Sequence, residues 1–273
     1  MPVLYVVATP IGNLEDISLR ALRLLKQVDL IAAEDTRTTR NLLNFYEIKT
    51  SLTSYHEHNK RAKLGYLLDC LEEKDVALVS EAGMPGLSDP GYELISAAIE
   101  RGITVVPVPG ASAVITALVV SGLPANQFLY LGFLPRRQAA RRRLFKSVAD
   151  EPRTVVAFES PHRLVEALND ALEVFGDRKA AVCRELTKVY EEVFRGRLSQ
   201  AIEHFAQPRG EFTLVVEGKM RQEPEISGQI ERELRKLYRQ GAGAKEAVAR
   251  LSETSGISKR KLYQAWLKTT EGD

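Results

Sequence analysis

Two stretches of the chain have the residue types needed to hold a small molecule. Ser80-Glu-Ala-Gly-Met-Pro-Gly-Leu-Ser-Asp-Pro-Gly91 and Pro107-Val-Pro-Gly110 each follow a short apolar run, Val76 to Val79 and Ile103 to Val106. Proline stiffens such loops, while Gly83, Gly86 and Gly110 permit positive φ or close backbone approach. A rigid, neutral pocket of this kind suits an adenosine-bearing cofactor held by main-chain groups. The same residues also read as plain tight turns between strand and helix. A second constellation is basic. Arg136, Arg137, Arg141, Arg142, Arg143 and Lys146 lie together with no acid between them, as in a phosphate-contacting surface or a solvated helix face. Tyr55, His56 and His58 add groups that can stack on, and hydrogen-bond to, an unpaired nucleotide.

Other chemistries lack their residues. No GxGxxG follows the first apolar run and no GxxxxGK[ST] occurs; Gly241-Ala-Gly-Ala-Lys245 has no strand before it. Neither a nucleophile elbow nor HExxH is present. His56 and His58 have no nearby Cys or third His, so no metal site is expected. Cys70 and Cys183 stand far apart without a CxxC, as small buried hydrophobes in a reducing cytoplasm would. With 38 basic and 36 acidic residues the net charge is only +2, so a nucleic-acid partner must be met by a local patch. The start, Met1-Pro-Val-Leu-Tyr-Val-Val7, has no signal-peptide character, and the longest apolar run, Ala113 to Val120, is too short to cross a bilayer. A cytoplasmic protein without membrane attachment is expected.

The elements that must position these groups alternate in type. Val3 to Ala8 is an apolar run of the kind buried on both faces of a sheet, ending in Thr9-Pro-Ile-Gly-Asn13. Asp16 or Ser18 could cap a helix carrying Leu19, Leu22, Leu25 and Val28. Asp29 to Ala33 predicts a second strand, with Glu34-Asp-Thr-Arg37 and a helix to about Phe45 behind it. A polar loop at Tyr55-His-Glu-His-Asn59 precedes a helix ending near Glu72. In the second half, strand patterns recur at 128–133, 154–158, 180–184, 190–194 and 212–217. The runs near 182 and 192 have no helix between them, so part of that sheet is expected to be antiparallel. The expected class is α/β: two α/β domains, 1–122 and 123–219, followed by a small helical unit at 229–270. Within that unit, Ala247-Val248, Leu251, Gly256-Ile257-Ser258 and Leu262-Tyr263 fit a helix-turn-helix pattern. Its Lys259-Arg-Lys261 and Tyr263 could dock RNA, or the unit could simply cap a domain or a dimer.

Several motifs in register extend this reading. Thr9-Pro-Ile-Gly-Asn-Leu-Glu-Asp16, Ala33-Glu-Asp-Thr-Arg37, Gly83-x-Pro85 with Asp89-Pro-Gly91, Val106-Pro-Val-Pro-Gly-x-Ser-Ala113, Phe158-Glu-Ser160, Arg184-Glu-Leu-Thr-Lys188 and Gly210-Glu-Phe-Thr-Leu214 occur in order. Together they resemble the tetrapyrrole-methylase superfamily and, within it, the ribosomal RNA small subunit methyltransferase I branch. That resemblance implies S-adenosylmethionine in a cleft between two α/β domains. It further implies a homodimer, and methyl transfer to a cytidine ribose 2′-oxygen in the decoding region of small-subunit (16S) ribosomal RNA. Carried over by motif, the cofactor walls are Pro10, Gly83, Met84, Pro85, Leu87, Ser112 and Ala113 from the first half. From the second half they are Phe158, Glu159, Leu186, Thr187, Phe212 and Thr213. The branch usually has Ser-Asp-Ala-Gly-Thr-Pro where this chain has Ser80-Glu-Ala-Gly-Met-Pro85, so Glu81 carries its charge on a longer arm and Met84 lacks a hydroxyl.

A ribose hydroxyl is a weak acid, so a base that takes its proton during attack would help. Candidates are Asp35, Glu159 and Glu81. Asp35 equally reads as a helix cap and Glu159 as an ion-pair partner of Arg163, one turn away. Arg37 could clamp a phosphate, and Lys188 could do the same or orient the nucleotide. The rival functions are methyl transfer to a tetrapyrrole or other small molecule on the same fold, and a non-catalytic RNA-binding assembly factor.

Overall fold

In the first sheet every strand is parallel to its neighbours. β1 (Val3–Val7), β2 (Leu30–Ala33), β3 (Ser51–Ser54), β4 (Val76–Val79) and β5 (Thr104–Val108) lie in the order β3-β2-β4-β1-β5. Between them run α1 (Leu19–Gln27), α2 (Thr36–Phe45), α3 (Lys60–Glu73) and α4 (Tyr92–Glu100), and α5 (Ala113–Val120) follows β5. Alternate residues of the central strands enter two separate cores. Ile31, Ala33, Ala77 and Val79 pack with α1 and α2, while Leu30, Ala32, Val76 and Leu78 pack with α3 and α4. A strand with helices on both faces must be apolar at every position, which is why these runs carry no polar alternation. The computed structural model describes residues 2–219 and 226–270, and the chain divides into two compact units, Met1–Lys219 and Met220–Asp273.

The second sheet also belongs to the first unit. β6 (Phe128–Phe133), β7 (Thr154–Glu159), β8 (Lys179–Arg184), β9 (Glu192–Arg197) and β10 (Phe212–Val216) lie in the order β6-β7-β10-β8-β9. Only β6 and β7 pair in parallel; the other pairings, including the expected one between β8 and β9, are antiparallel. One face packs on α6 (Gln138–Ser147), α7 (Leu164–Phe175) and α8 (Leu198–His204). The opposite face receives Val114, Ala117 and Leu118 of α5 over Val156, Ala181, Cys183 and Val215. α5 thus starts from a strand end of one sheet and covers the other, joining the two.

Two expectations are corrected here, and β3 is a strand that they did not include. The polar stretch before Tyr55 contains β3, whose Ser51-Leu-Thr-Ser54 has a single apolar residue; as the strand at one edge it needs little apolar surface. Pairing continues one residue further, the Tyr55 amide donating to the Ala33 carbonyl at 2.7 Å, and the Tyr55 ring is fully buried among Leu67, Leu71 and Leu94. It cannot stack on a nucleotide. Arg141 is likewise 0% exposed. Its guanidinium meets Asp170 of α7 at 2.6 Å, and Arg142 meets Asp170 and Glu173 at 2.6 Å each. Acids absent from the local sequence are supplied across the helix pair, so these two arginines hold α6 to α7 and are not phosphate contacts. Arg136, Arg137, Arg143 and Lys146 remain exposed and form no ion pair among the described residues.

The second unit has its own core. α9 (Gly228–Arg239), α10 (Ala244–Ser255) and α11 (Lys259–Thr270) enclose Leu234, Val248, Leu251, Ile257, Leu262 and Trp266. The turn between α10 and α11 runs through Gly256 in the left-handed region at φ 68°, where glycine carries no Cβ penalty.

Candidate active site

The strand ends β1, β4 and β5 of the first sheet and β7, β8 and β10 of the second border one cavity of about 720 Å³, within the range of small-molecule sites. Its first wall is built by two loops clasped together. Thr9 and Gly83 exchange backbone hydrogen bonds at 2.9 and 3.1 Å, and the Thr9 hydroxyl donates to the Ser80 carbonyl at 3.2 Å. The 80–91 loop then doubles back so tightly that a Cβ on Gly91 would lie 3.0 Å from the Gly86 nitrogen. Ser88, not a glycine, is held at φ 66°, and its hydroxyl meets the Tyr130 hydroxyl of β6 at 2.8 Å. Non-glycine residues in that region cost energy and persist where the surroundings hold them.

The opposite wall comes from β7, β10 and the turn after β8. Thr187 sits at φ 66° and accepts a hydrogen bond from the Asn13 amide at 3.0 Å. The turn presses on the first loop closely enough that a Cβ on Gly12 would stand 2.8 Å from the Leu186 carbonyl oxygen. Of the residues predicted to wall a cofactor, Pro10, Gly83, Met84, Leu87, Ser112, Ala113, Phe158, Glu159, Leu186, Phe212 and Thr213 line the cavity. Pro85 and Thr187 do not; they support lining residues on either side. Cys183 lies on the wall with its thiol pushed up to about 12 by burial, which removes it as a nucleophile.

The predicted acid–base residues separate. Asp35 is outside the cavity. It caps α2, accepting from the Arg37 and Thr38 amides at 2.7 and 3.4 Å, and pairs with the Arg37 guanidinium at 3.0 Å. Hydrogen bonds from the Arg37 side chain and backbone hold its carboxyl at about 2, too weak a base for a hydroxyl proton. Arg37 is engaged in this pair at the surface. Glu159 does face the cavity, fully buried. Its Oε1 accepts from the Ser160 amide at 2.7 Å and pairs with Arg163 at 2.6 Å, while its Oε2 is buried with no hydrogen-bond partner among the described residues. Burial pushes its pKa up against the opposing pull of Ser160 and Arg163. Glu81 lines the cavity at its exposed edge, and Lys188 lines it while paired to Glu185 and Glu211 at 3.1 and 2.9 Å. His56 and His58 lie outside it, their rings 6.1 Å apart, with His58 exposed.

Two further carboxylates on the first wall lie within the family motifs but are not among the predicted acid–base residues. Asp89 is half-buried, lines the cavity and forms no salt bridge among the described residues. Burial, and then the negative charge of Glu34, push it up to about 7; a hydrogen bond from Ser80 opposes the shift. Glu34, at the end of β2, is itself raised by burial, and its Oε2 accepts from the Glu81 amide at 3.1 Å. In the sequence Asp89 stands out only as part of the Asp89-Pro-Gly91 motif, which assigns it no role. Among the described residues, no group of three or more His, Cys, Asp or Glu is placed to hold a metal ion.

A family profile described as Tetrapyrrole (Corrin/Porphyrin) Methylases matches residues 3–202. The chain belongs to this family. It is 47% identical to the ribosomal RNA small subunit methyltransferase I of Halalkalibacterium halodurans, across 96% of this chain and 94% of that protein. The protein of the same name from Thermotoga maritima is 52% identical, across 79% of this chain and 98% of its own length. Among solved structures, diphthine synthase superposes with a TM-score of 0.64 at 16% identity, covering 79% of this chain and 90% of that one, a likeness of fold alone. The family's two-sheet α/β architecture accounts for the position of the cavity: in open α/β sheets, ligands sit beyond the carboxyl ends of the strands.

Proposed function

We propose that this chain is an S-adenosylmethionine-dependent methyltransferase that acts on the ribose 2′-oxygen of a cytidine in the decoding region of small-subunit (16S) ribosomal RNA. The reading is carried by similarity, over nearly both full lengths, to a protein named as a ribosomal RNA small subunit methyltransferase. In this reading the chain works as a homodimer in the cytoplasm, with residues 1–122 and 123–219 as the two lobes of the cleft. Methyl transfer to a tetrapyrrole or other small molecule, and RNA binding without turnover, are the rivals to be tested.

The residues present fit a bound S-adenosylmethionine. The cavity is large enough, its walls are mostly apolar or main chain, and Glu159 Oε2 is a buried acceptor that lacks a donor among the described residues. The Gly83 to Met84 backbone, Leu87, Ser112-Ala113, Leu186 and Phe212-Thr213 would hold the group, with Phe158 against its flat surfaces. When bound, it supplies an electrophilic methyl group on a sulfonium. The protein's own part is to align the acceptor, exclude water and remove a proton. Asp89 takes the proton of the acceptor hydroxyl on a carboxylate oxygen. It is the cavity carboxylate that combines a raised pKa of about 7 with freedom from a cationic partner among the described residues. Glu34 keeps the proton affinity of Asp89 high, and the Ser88–Tyr130 hydrogen bond anchors its loop. Reaching a ribose in folded RNA requires the nucleotide to be turned out of its stack. Arg136, Arg137, Arg143 and Lys146 offer exposed charge for the flanking phosphates, and His58 an exposed ring.

The test is methyl transfer from labelled S-adenosylmethionine to purified small ribosomal subunits, followed by digestion and separation of the nucleosides. Label in a ribose-methylated cytidine is expected. Absence of label alongside measurable cofactor binding would overturn the RNA assignment in favour of a small-molecule acceptor. Absence of both would leave an assembly factor.

A further inference from the structure

The second unit has a small excess of basic side chains that the first lacks. Residues 1–219 carry 27 basic and 28 acidic side chains, whereas 220–273 carry 11 basic and eight acidic. None of those acids lies on α11, which carries four basic side chains. Leu262 and Trp266 of α11 point into the unit's core. The opposite side is exposed at Arg260, Tyr263, Gln264, Leu267 and Lys268, with Lys259 beside them. That spacing of three and four residues forms one continuous helix face. Tyr263 is 48% exposed, and Lys259, Arg260 and Lys268 form no ion pair among the described residues.

We propose that this face of α11 is an auxiliary anchor for ribosomal RNA, contributing affinity rather than chemistry; the inference rests on the RNA substrate proposed above. Charge complementarity selects the partner. Arg260 and Lys268 stand about 12 Å apart along the helix axis, at 1.5 Å per residue, and both suit phosphates. Tyr263 and Gln264 between them suit an unpaired base, by stacking and by hydrogen bonding. The deep, narrow major groove of A-form RNA excludes a helix, so α11 meets backbone and unpaired nucleotides rather than reading a groove. The Thermotoga maritima relative, matched over 98% of its length, corresponds to only 79% of this chain. The unmatched share is comparable in size to the terminal unit, Met220–Asp273.

The experiment uses the full chain carrying Arg260→Glu with Lys268→Glu, and the neutral pair Arg260→Gln with Lys268→Gln as a control for folding. Methyl-transfer kinetics on purified small subunits are measured at several salt concentrations, alongside the Kd for protein-free 16S ribosomal RNA. The reversed pair is expected to raise KM and Kd at least tenfold and leave kcat within twofold. It also lowers the slope of log affinity against log salt by about two, one for each phosphate no longer neutralised. The neutral pair gives a smaller change in the same direction. KM and Kd both within twofold of wild type would overturn the anchor. A raised KM with unchanged RNA affinity would assign the face to a ribosomal protein, and a parallel change in sedimentation to a second copy; either result also overturns it. Should the wild-type chain transfer no methyl group, the proposed reaction fails, and the RNA affinities of the variants still decide the anchor.

Discussion

Replacing Asp89 with Asn tests the acid–base assignment at its centre. With a pKa of about 7, the Asp89 carboxylate is about one-tenth ionised at pH 6 and about nine-tenths at pH 8. The single-turnover rate of the wild-type protein is therefore expected to rise about tenfold across that interval, with a slope of one on the acid side. Asp89→Asn removes the base and costs about 10²- to 10⁴-fold, with the pH dependence gone. Cofactor affinity, read by calorimetry, stays within about threefold. The same substitution has an opposite effect on stability, because folding raises this pKa from 3.8 to about 7. The folded state holds the proton more tightly, so ionisation penalises it, fully above pH 7 and not at all below pH 3.8. The whole difference is worth about 4 kcal/mol, and water reaching a half-exposed carboxyl reduces it to about 1–2 kcal/mol. Asp89→Asn therefore stabilises the protein at pH 8 and loses that advantage on acidification. A wild-type rate flat between pH 6 and 8, or a variant keeping more than a tenth of the rate, would refute the assignment.

Two other substitutions address binding and folding. Ser112→Trp places an indole in the cavity wall and is expected to weaken S-adenosylmethionine binding more than 100-fold in calorimetry with melting unchanged; normal titration would move the site elsewhere. Asp170→Ala strands the buried Arg141 guanidinium and is expected to cost about 3–5 kcal/mol in urea denaturation. Burial alone would raise the Asp170 pKa, but hydrogen bonds from Arg142, Arg141 and Gln138 more than offset it and hold it low. Its stabilisation is accordingly lost only as pH falls below the ordinary 3.8, and a deficit that vanished near neutrality would disprove this account.

What the sequence discloses, and what it hides, follows from how local each cause is. Strands buried on both faces announce themselves, because β2 and β4 must be apolar at every position to serve two cores. β3 lies at an edge and needs no such run, so Ser51-Leu-Thr-Ser54 carries no apolar strand signal. The basic segment misleads for a related reason. No acid stands between its arginines, whereas Asp170 lies 29 residues from Arg141 along the chain and touches it through the packing of α7 on α6. The carboxylates show the limit most sharply. Asp35 and Asp89 lie in loops that follow strands and Glu159 ends one, and residue type does not tell them apart. Arg37, two residues on, makes Asp35 a cap and a poor base, and Arg163, four residues on, ties down one oxygen of Glu159. Both neighbours are visible in the sequence, and both alternatives can be written down from it. The groups that raise Asp89 cannot be found that way: Glu34 comes from the end of another strand, and the burial comes from the fold itself. A proton acceptor tuned by distant residues is legible only once the two sheets have closed around it.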